Sequence, residues 1–129
     1  MIADTTFLSD FLKESRRQVR GPASEFLAEH RTAPIRTTII TAAEIAVMFK
    51  ESSEAFTWLA RWKIYQMHTG IAVAAADIDR KLSASGQRLG ENDNWIAGFA
   101  AYHREPVISD DLAFDRAPGV RRIHYQRKV

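Results

Sequence analysis

The chain has 129 residues, which suffices for one domain with a sizeable core and is too short for two ordinary domains. Its 46% hydrophobic and 26% charged residues are typical of a soluble globular protein, and the absence of cysteine excludes disulfides, thiolate metal sites and a cysteine nucleophile. The net charge of +2 gives only weak support for a nucleic-acid partner. The first residues lack a basic leader, and no apolar stretch approaches the roughly 20 residues of a membrane span, so we expect a cytoplasmic protein without membrane contact.

Strands and helices alternate in the first half of the chain. Apolar residues recur at helical spacing from Phe7 to Leu12, and a Gly-Pro pair at 21–22 interrupts the pattern. Thr41 is a possible helix N-cap, with Glu44 three residues later at the capping-box spacing. In chain order we predict a strand over residues 1–4, helices over 5–18 and 23–31, a strand over 33–40, and a helix over 41–52 that continues through 54–62.

The second half continues the same alternation. Alanine-rich residues after His68 predict a helix that Gly86 stops. The predicted elements are a strand over residues 63–68, helices over 69–86 and 91–105, a strand over 106–109, a loop over 110–119 and a last strand over 120–125. Because strands alternate with helices, we predict an α/β domain whose parallel sheet is covered by helices on both faces. Ligands of such sheets bind at the carboxyl ends of the strands, where the winding direction reverses.

Asp93 lies in the first turn of a predicted helix, on the side that should be buried. It shares a helical face with the apolar residues three, four, seven and eight positions later, which are Ile96, Ala97, Ala100 and Ala101. We therefore expect its carboxylate to point along the core rather than into bulk solvent.

Acidic residues in three other segments also follow a predicted strand or lie in the first turn of a predicted helix. Asp4 follows the first predicted strand, and Asp110 and Asp111 follow the strand over residues 106–109. Glu44 lies in the first turn of its helix, on a face shared with Val47 and Met48, which we expect to be buried. Each of these acids lies where a carboxyl edge of the sheet meets the core.

Carboxylates brought together without a lysine or arginine repel one another, and burial raises their pKa values. A divalent cation such as Mg²⁺ relieves this penalty, takes oxygen ligands and activates a water for phosphodiester hydrolysis. Each acid also has a simpler interpretation. An acid in a first helical turn stabilises the helix dipole by about 0.3–1 kcal/mol, and an Asp after a strand is often a turn residue or N-cap.

The order of motifs resembles that of the PIN-domain family. The segments that carry the resemblance are "MIADTTFLSDFL", "TTIITAAEIAVMF" and "GENDNWIAGFAAYHREPVISDDLAFDRAPGVRRIHY", which together span nearly the whole chain. Within that family, the chain is most similar to the single-domain VapC-type toxins of toxin–antitoxin pairs. The resemblance implies one PIN-like domain over residues 1–129 and a five-stranded sheet of order 3-2-1-4-5.

The resemblance also implies a set of site residues. The catalytic acids would be Asp4, Glu44, Asp93 and Asp111, and the metal ligands would be Asp4, Asp93 and Asp111. Phe114 at the family's offset favours Asp111 over its neighbour Asp110, which remains the alternative. The supporting residues would be Thr6, with its hydroxyl near the metal, together with Asn92 and Asp110.

The implied activity is Mg²⁺- or Mn²⁺-dependent endoribonuclease cleavage of structured RNA, commonly tRNA or ribosomal RNA. The implied partners are a cognate antitoxin and a second copy of the chain. Trp58, Trp62 and Tyr65 lie at helical spacing and are more typical of a core or a partner groove than of a base-stacking platform. Exposed apolar residues of the third and fourth helices could form a dimer face or receive the antitoxin. The basic cluster of Arg16, Arg17 and Arg20 could hold RNA phosphates, but a solvated surface explains it equally well.

Two other functions compete with the toxin. One is a catalytically silent PIN-like module that binds RNA or protein, although such a module has no need to keep four mutually repelling carboxylates. The other is a PIN nuclease of RNA maturation or of DNA. The four histidines lack the spacing of a zinc site, and no glycine-rich loop follows the first strand to bind a nucleotide.

Overall fold

Five short strands form a parallel sheet at the centre of the computed structural model, which describes residues 1–126. The strands are β1 (Ile2–Ala3), β2 (Arg36–Thr38), β3 (Lys63–Tyr65), β4 (Val107–Ile108) and β5 (Arg122–Ile123). Their spatial order is β3-β2-β1-β4-β5, which confirms the α/β class and the 3-2-1-4-5 order. The last three residues of the basic tail lie outside the described residues.

The winding of the sheet reverses between β1 and β4. These strands are adjacent and parallel, with Ile2 opposite Val107 and Ala3 opposite Ile108. At their carboxyl ends, the backbone N–H of Asp4 donates to the carbonyl oxygen of Ile108 at 3.3 Å. The segments that follow β1 and β4 therefore leave the sheet side by side, at the edge where ligands of such sheets bind.

Helices cover both faces of the sheet. The α-helices are α1 (Thr5–Arg17), α2 (Pro22–Glu29), α3 (Ile39–Ala46), α4 (Ser52–Leu59), α5 (Thr69–Ala84) and α6 (Glu91–His103), and a 3-10 helix spans Leu112–Arg116. Side chains from the adjoining strands cap some of them: Asp4 caps α1 and Thr38 caps α3. In residues 1–126, no helix combines the length and the apolar character that crossing a bilayer requires.

Successive residues of β1 point to opposite faces, so the sheet separates two cores. Ile2 packs with apolar residues of α5 and α6, including Ile71 and Phe99. Ala3 packs on the other face with residues of α1, α3 and α4, including Phe7 and Ile45. All six of these side chains are fully buried. Hydrophobic burial on both faces holds the strand ends, and hence the residues that follow them, in fixed positions.

Gly98 allows α5 and α6 to approach closely. A Cβ atom at this position would lie 2.8 Å from the Cβ of Ala75 and 3.1 Å from its backbone nitrogen. The cost of glycine to helix propensity, up to about 1 kcal/mol, is thus accepted because a methyl group would force the helices apart.

Several boundaries differ from the sequence prediction in the segment from residue 38 to residue 65. The N-cap of α3 is Thr38 and not Thr41, whose backbone N–H instead donates to the Thr38 hydroxyl at 3.1 Å. The predicted continuous helix breaks between Ala46 and Ser52. Because α3 ends before it, Val47 is 83% exposed, and the prediction that it is buried was wrong.

Two further differences concern the aromatic residues and the loop before the last strand. Trp62 lies beyond the end of α4 and Tyr65 lies in β3, so these residues do not continue the helical face of Trp58. The segment predicted as a loop over residues 110–119 contains the 3-10 helix, which Asp111 caps by accepting a hydrogen bond from the Ala113 N–H at 2.9 Å.

Candidate active site

Asp4 lies at the centre of the site, directly after β1. Its side chain is only 3% exposed, and its Oδ1 accepts a hydrogen bond from the Phe7 N–H at 2.8 Å. Burial raises the pKa of this carboxyl from 3.8 to about 7, although hydrogen bonds from the Ser109 hydroxyl and the Phe7 N–H oppose the shift. The negative charges of Asp93 and Asp111 add to the increase in its pKa. Asp4 is therefore a buried acid that faces two others.

Asp93 reaches the site from the first turn of α6. Its side chain is half-buried, as its helical position predicts. Burial raises the pKa of the Asp93 carboxyl, and the charges of Asp111 and Glu44 raise it further. The helix dipole interpretation is compatible with this position, but Asp93 also faces carboxylates from two other parts of the chain.

Glu44 enters from α3, where one hydroxyl group contacts its carboxylate. Its Oε1 accepts a hydrogen bond from the Thr5 hydroxyl at 2.6 Å. The Thr5 Oγ1 also lies 3.1 Å from the Thr41 Oγ1, three residues before Glu44 on the same helix. Residues i and i+3 share a face of a helix, so Thr41 and Glu44 both point towards the start of α1.

Asp110 and Asp111 turn in different directions. Asp111 is exposed, caps the 3-10 helix and contributes its charge to the pKa shifts of Asp4 and Asp93. Asp110 accepts hydrogen bonds from the backbone N–H groups of Tyr125 and Gln126, and its Oδ1 lies 3.2 Å from the His124 Nε2. The geometry groups Asp111 with the other acids and leaves Asp110 to hold the segment after β5.

The supporting residues expected from the sequence lie differently. The side chains of Thr6 and Asn92 are exposed, and neither forms a hydrogen bond within residues 1–126. Thr5 and Ser109 occupy the positions beside the carboxylates instead. Ser109 could have been identified from its place directly after β4, whereas the choice between adjacent threonines depends on how α1 leaves the sheet.

A basic residue lies near the acids, contrary to the expectation of carboxylates without arginine or lysine. Arg122 of β5 forms an ion pair with Asp115 at 3.0 Å and donates to the carbonyl oxygen of Ser109 at 3.1 Å. Its pKa is raised by the hydrogen bond to Asp115 and, among smaller causes, by the charges of Asp110 and Asp111. The backbone of Arg122 pairs with Val107, and its side chain extends along β4 to Ser109, a proximity that sequence separation hides.

The acids converge without enclosing a metal site of their own. Within residues 1–126, no group of three or more acidic or histidine side chains is arranged to hold a metal ion by itself. The charges of Asp93 and Asp111 nevertheless act on the carboxyl of Asp4, and those of Asp111 and Glu44 act on the carboxyl of Asp93, so the four acids lie within electrostatic reach. Such a surface attracts cations, and it can bind an anionic phosphodiester only when its negative charge is compensated.

Sequence comparison identifies one family over most of the chain. The family model of the PIN domain matches residues 1–120. No curated protein matches the sequence.

Solved structures share the fold over nearly the whole chain. VapBC from Salmonella typhimurium bound to DNA is 20% identical, with a TM-score of 0.81 and coverage of 96% of both chains. VapBC2 from Rickettsia felis, bound to a DNA fragment from its promoter, is 16% identical, with a TM-score of 0.79 over 97% of this chain and 98% of that chain. FitAcB from Neisseria gonorrhoeae is 20% identical, with a TM-score of 0.76 and coverage of 95% of both chains.

Proposed function

The chain belongs to the PIN domain family, and from that membership we propose that it is a metal-dependent endoribonuclease, the toxin of a VapC-type toxin–antitoxin pair. The observation that carries the proposal is the environment of Asp4. This carboxyl is buried, faces Asp93 and Asp111, and forms no ion pair within the described part of the chain. Perturbed acids that converge at one edge of a sheet are a feature of functional sites.

Asp4, Asp93 and Asp111 are the residues that we propose to hold Mg²⁺ or Mn²⁺. They fit a hard cation because all their side-chain donors are oxygens, and because the raised pKa values of Asp4 and Asp93 reflect a penalty that positive charge relieves. When bound, the cation would supply charge neutralisation at the phosphate and an activated water. Mg²⁺ keeps several waters and needs only one or two direct carboxylates, which agrees with the absence of an enclosed three-ligand group in residues 1–126.

The remaining acid, Glu44, is suited to a proton-transfer role. Its carboxylate is fixed at Oε1 by Thr5, and it lies close enough to Asp93 to raise the pKa of that residue. We assign Glu44 the role of orienting the attacking water and accepting its proton. The water oxygen forms the new bond to phosphorus, the ester bond to the leaving oxygen breaks, and that oxygen takes a proton from solvent.

The substrate class that we propose is structured RNA, either tRNA or ribosomal RNA. The basic residues Arg16, Arg17 and Arg20 are all exposed and available to RNA phosphates. Arg16 also donates to the carbonyl oxygen of Met48 at 2.8 Å and lies 4.8 Å from the centre of the Phe49 ring, which gives it a structural role as well.

The partners that we propose are a cognate antitoxin and a second copy of the chain. The structural neighbours from Salmonella typhimurium and Rickettsia felis are VapBC assemblies, which supports an antitoxin partner. An apolar surface next to α4 offers a place for it. Phe56 there is 41% exposed, and the rings of Phe11, Trp58 and Trp62 lie within 5.1–5.9 Å of one another.

The proposal is tested by incubating purified, antitoxin-free protein with total tRNA and ribosomal RNA. We expect cleavage with Mg²⁺ or Mn²⁺, and no cleavage when EDTA is present. Cleavage that persists in EDTA would contradict the metal dependence. Binding of RNA without cleavage would support the silent module, and cleavage of single- or double-stranded DNA in place of RNA would support a PIN nuclease of another kind.

A further inference from the structure

The hydroxyl group of Thr5 bridges the start of α1 and the helix α3 at the acidic site. Its Oγ1 lies 2.6 Å from Glu44 Oε1 and 3.1 Å from Thr41 Oγ1. Thr5 follows the buried Asp4 directly, so the backbone that places Asp4 also places this hydroxyl. Thr5 thus connects Asp4, its neighbour in the chain, with Glu44, which lies far away in the sequence.

The direction of the two hydrogen bonds follows from the number of protons. A carboxylate only accepts, so Thr5 uses its one hydroxyl proton to donate to Glu44. The contact with Thr41 then requires Thr41 to donate to the Thr5 oxygen. Two hydroxyls aligned in this way polarise each other, and each strengthens the hydrogen bond of the next.

Glu44 needs such a partner because its side chain is long. Ordering a glutamate costs rotamer entropy, and a charge-assisted hydrogen bond offsets this cost. Within the described residues, Thr5 is the one group that hydrogen-bonds the Glu44 carboxylate. Thr6 differs from Thr5 because its side chain is exposed and forms no hydrogen bond within residues 1–126.

We propose that Thr5 is a positioning residue that fixes the Glu44 carboxylate for its role at the acidic site, with Thr41 orienting Thr5. The proposal rests on the nuclease function proposed above. It assigns to Thr5 the part that the sequence suggested for Thr6, but through contact with Glu44 rather than with a metal.

The first experiment compares Thr5→Val, which removes the hydroxyl but keeps the shape, with Thr5→Ser, which keeps the hydroxyl. The control is Thr57→Val on α4, which removes an exposed threonine hydroxyl that donates to the Ser53 carbonyl oxygen at 3.0 Å. We expect Thr5→Val to lower kcat for RNA cleavage about 10- to 100-fold with little change in KM, because misplacement of a reacting group acts on the chemical step. Thr5→Ser should restore most of kcat, and Thr57→Val should match the wild type.

The second experiment asks whether Thr5 acts through Glu44. In the Glu44→Gln background, Thr5→Val should cause less than about a twofold further loss of kcat, because the group that Thr5 positions is already changed. A full additional loss in this background would show that Thr5 acts elsewhere and would overturn the proposal.

A third measurement does not depend on RNA cleavage. Mn²⁺ titration of the RNA-free protein should give a Kd that is several-fold weaker for Thr5→Val, and unchanged for Thr5→Ser and Thr57→Val, because a mobile Glu44 contributes less negative charge beside Asp93. Circular dichroism melting of each variant checks that it folds. If Thr5→Val does not fold, Thr5→Ser still allows the test.

The outcomes separate this proposal from the proposed function. If the Mn²⁺ affinities follow the expected order but the wild type cleaves no RNA, the result would contradict the nuclease and support the role of Thr5. An active wild type whose Thr5→Val variant equals Thr57→Val in both kcat and Mn²⁺ affinity would support the nuclease and overturn the role of Thr5. A wild type that neither cleaves RNA nor binds Mn²⁺ would overturn both.

Discussion

The two ends of the sheet contain carboxylates in opposite environments, one partly buried and one buried. At the amino ends of the strands, Glu105 is paired with Arg36 at 3.0 Å and with the Met1 amine at 2.9 Å, and it accepts a hydrogen bond from the Tyr65 hydroxyl. At the carboxyl ends, Asp4 faces other carboxylates and forms no ion pair within residues 1–126. The same sheet thus has a neutralised acid at one end and an uncompensated buried acid at the other.

The pKa values of these two acids move in opposite directions. Burial favours a higher pKa at Glu105, but hydrogen bonds from Tyr65 and the Met1 amine, with the charges of the amine and Arg36, lower it below 4.5. Burial raises the pKa of Asp4 to about 7, and neighbouring acids add to the shift. Glu105 therefore stabilises the fold when ionised, whereas ionised Asp4 destabilises it. This contrast supports the functional role that we propose for Asp4 and a structural role for Glu105.

The largest expected effect is the loss of RNA cleavage in Asp93→Asn. The substitution keeps the shape of the side chain and removes its charge, so we expect kcat/KM to fall about a thousandfold, the scale of losing one electrostatic group from an active site. Thermal stability without metal should stay the same or rise, because repulsion with Asp111 and Glu44 is relieved. A clear loss of metal-free stability would instead favour the helix-dipole role of Asp93.

Asp4→Asn tests the uncompensated end directly. Between pH 3.8 and about 7, folded Asp4 keeps a proton that an unfolded aspartate loses, so wild-type stability should fall as pH rises through this range. The asparagine can still accept the Phe7 N–H bond and carries no charge, and we expect it to raise metal-free stability at pH 8 by up to about 4 kcal/mol. Urea unfolding of both proteins from pH 4 to 8 measures the difference, and equal pH slopes would contradict it.

Glu105→Gln tests the compensated end and should have the opposite sign. Without the charge, Arg36 and the Met1 amine lose their partner, so we expect stability at pH 7 to fall by roughly 2 kcal/mol. The lowered pKa of Glu105 means that its contribution is present above pH 4.5 and is lost as pH falls below it. The stabilities of the wild type and of Glu105→Gln should therefore converge in acid. RNA cleavage per folded molecule should be the same for both proteins.

The smallest effect is stabilisation by metal. Mg²⁺ at about ten times its Kd should stabilise the wild-type protein by roughly 1.4 kcal/mol through binding to the folded state. The stabilisation should disappear in Asp4→Asn and persist in Glu105→Gln. Differential scanning calorimetry with and without Mg²⁺ measures it, and equal stabilisation of the two variants would place the ion away from the carboxyl ends of the strands.

The sequence by itself determined the fold class, the sheet order implied by the family resemblance, and the convergence of acids at one edge. Asp4 could be placed because an acid that follows an apolar strand must lie at the carboxyl end of that strand. Asp93 could be placed because helical periodicity fixes which face a residue shares with its apolar neighbours. Such local rules depend on backbone geometry within a few residues, and a single sequence contains that information.

Only the tertiary structure decided the contacts around those acids. The angle at which α1 leaves the sheet turns Thr5 inward and leaves Thr6 exposed. After β4, Asp111 acts on the carboxyl of Asp4, while Asp110 accepts a hydrogen bond from the Tyr125 N–H. The pairing of β4 with β5 brings Arg122 beside the acids from eleven residues beyond Asp111. These choices depend on packing and register between distant segments. Exchanging which of two neighbouring side chains points towards the site costs little free energy locally. The packing of the whole fold therefore decides between them.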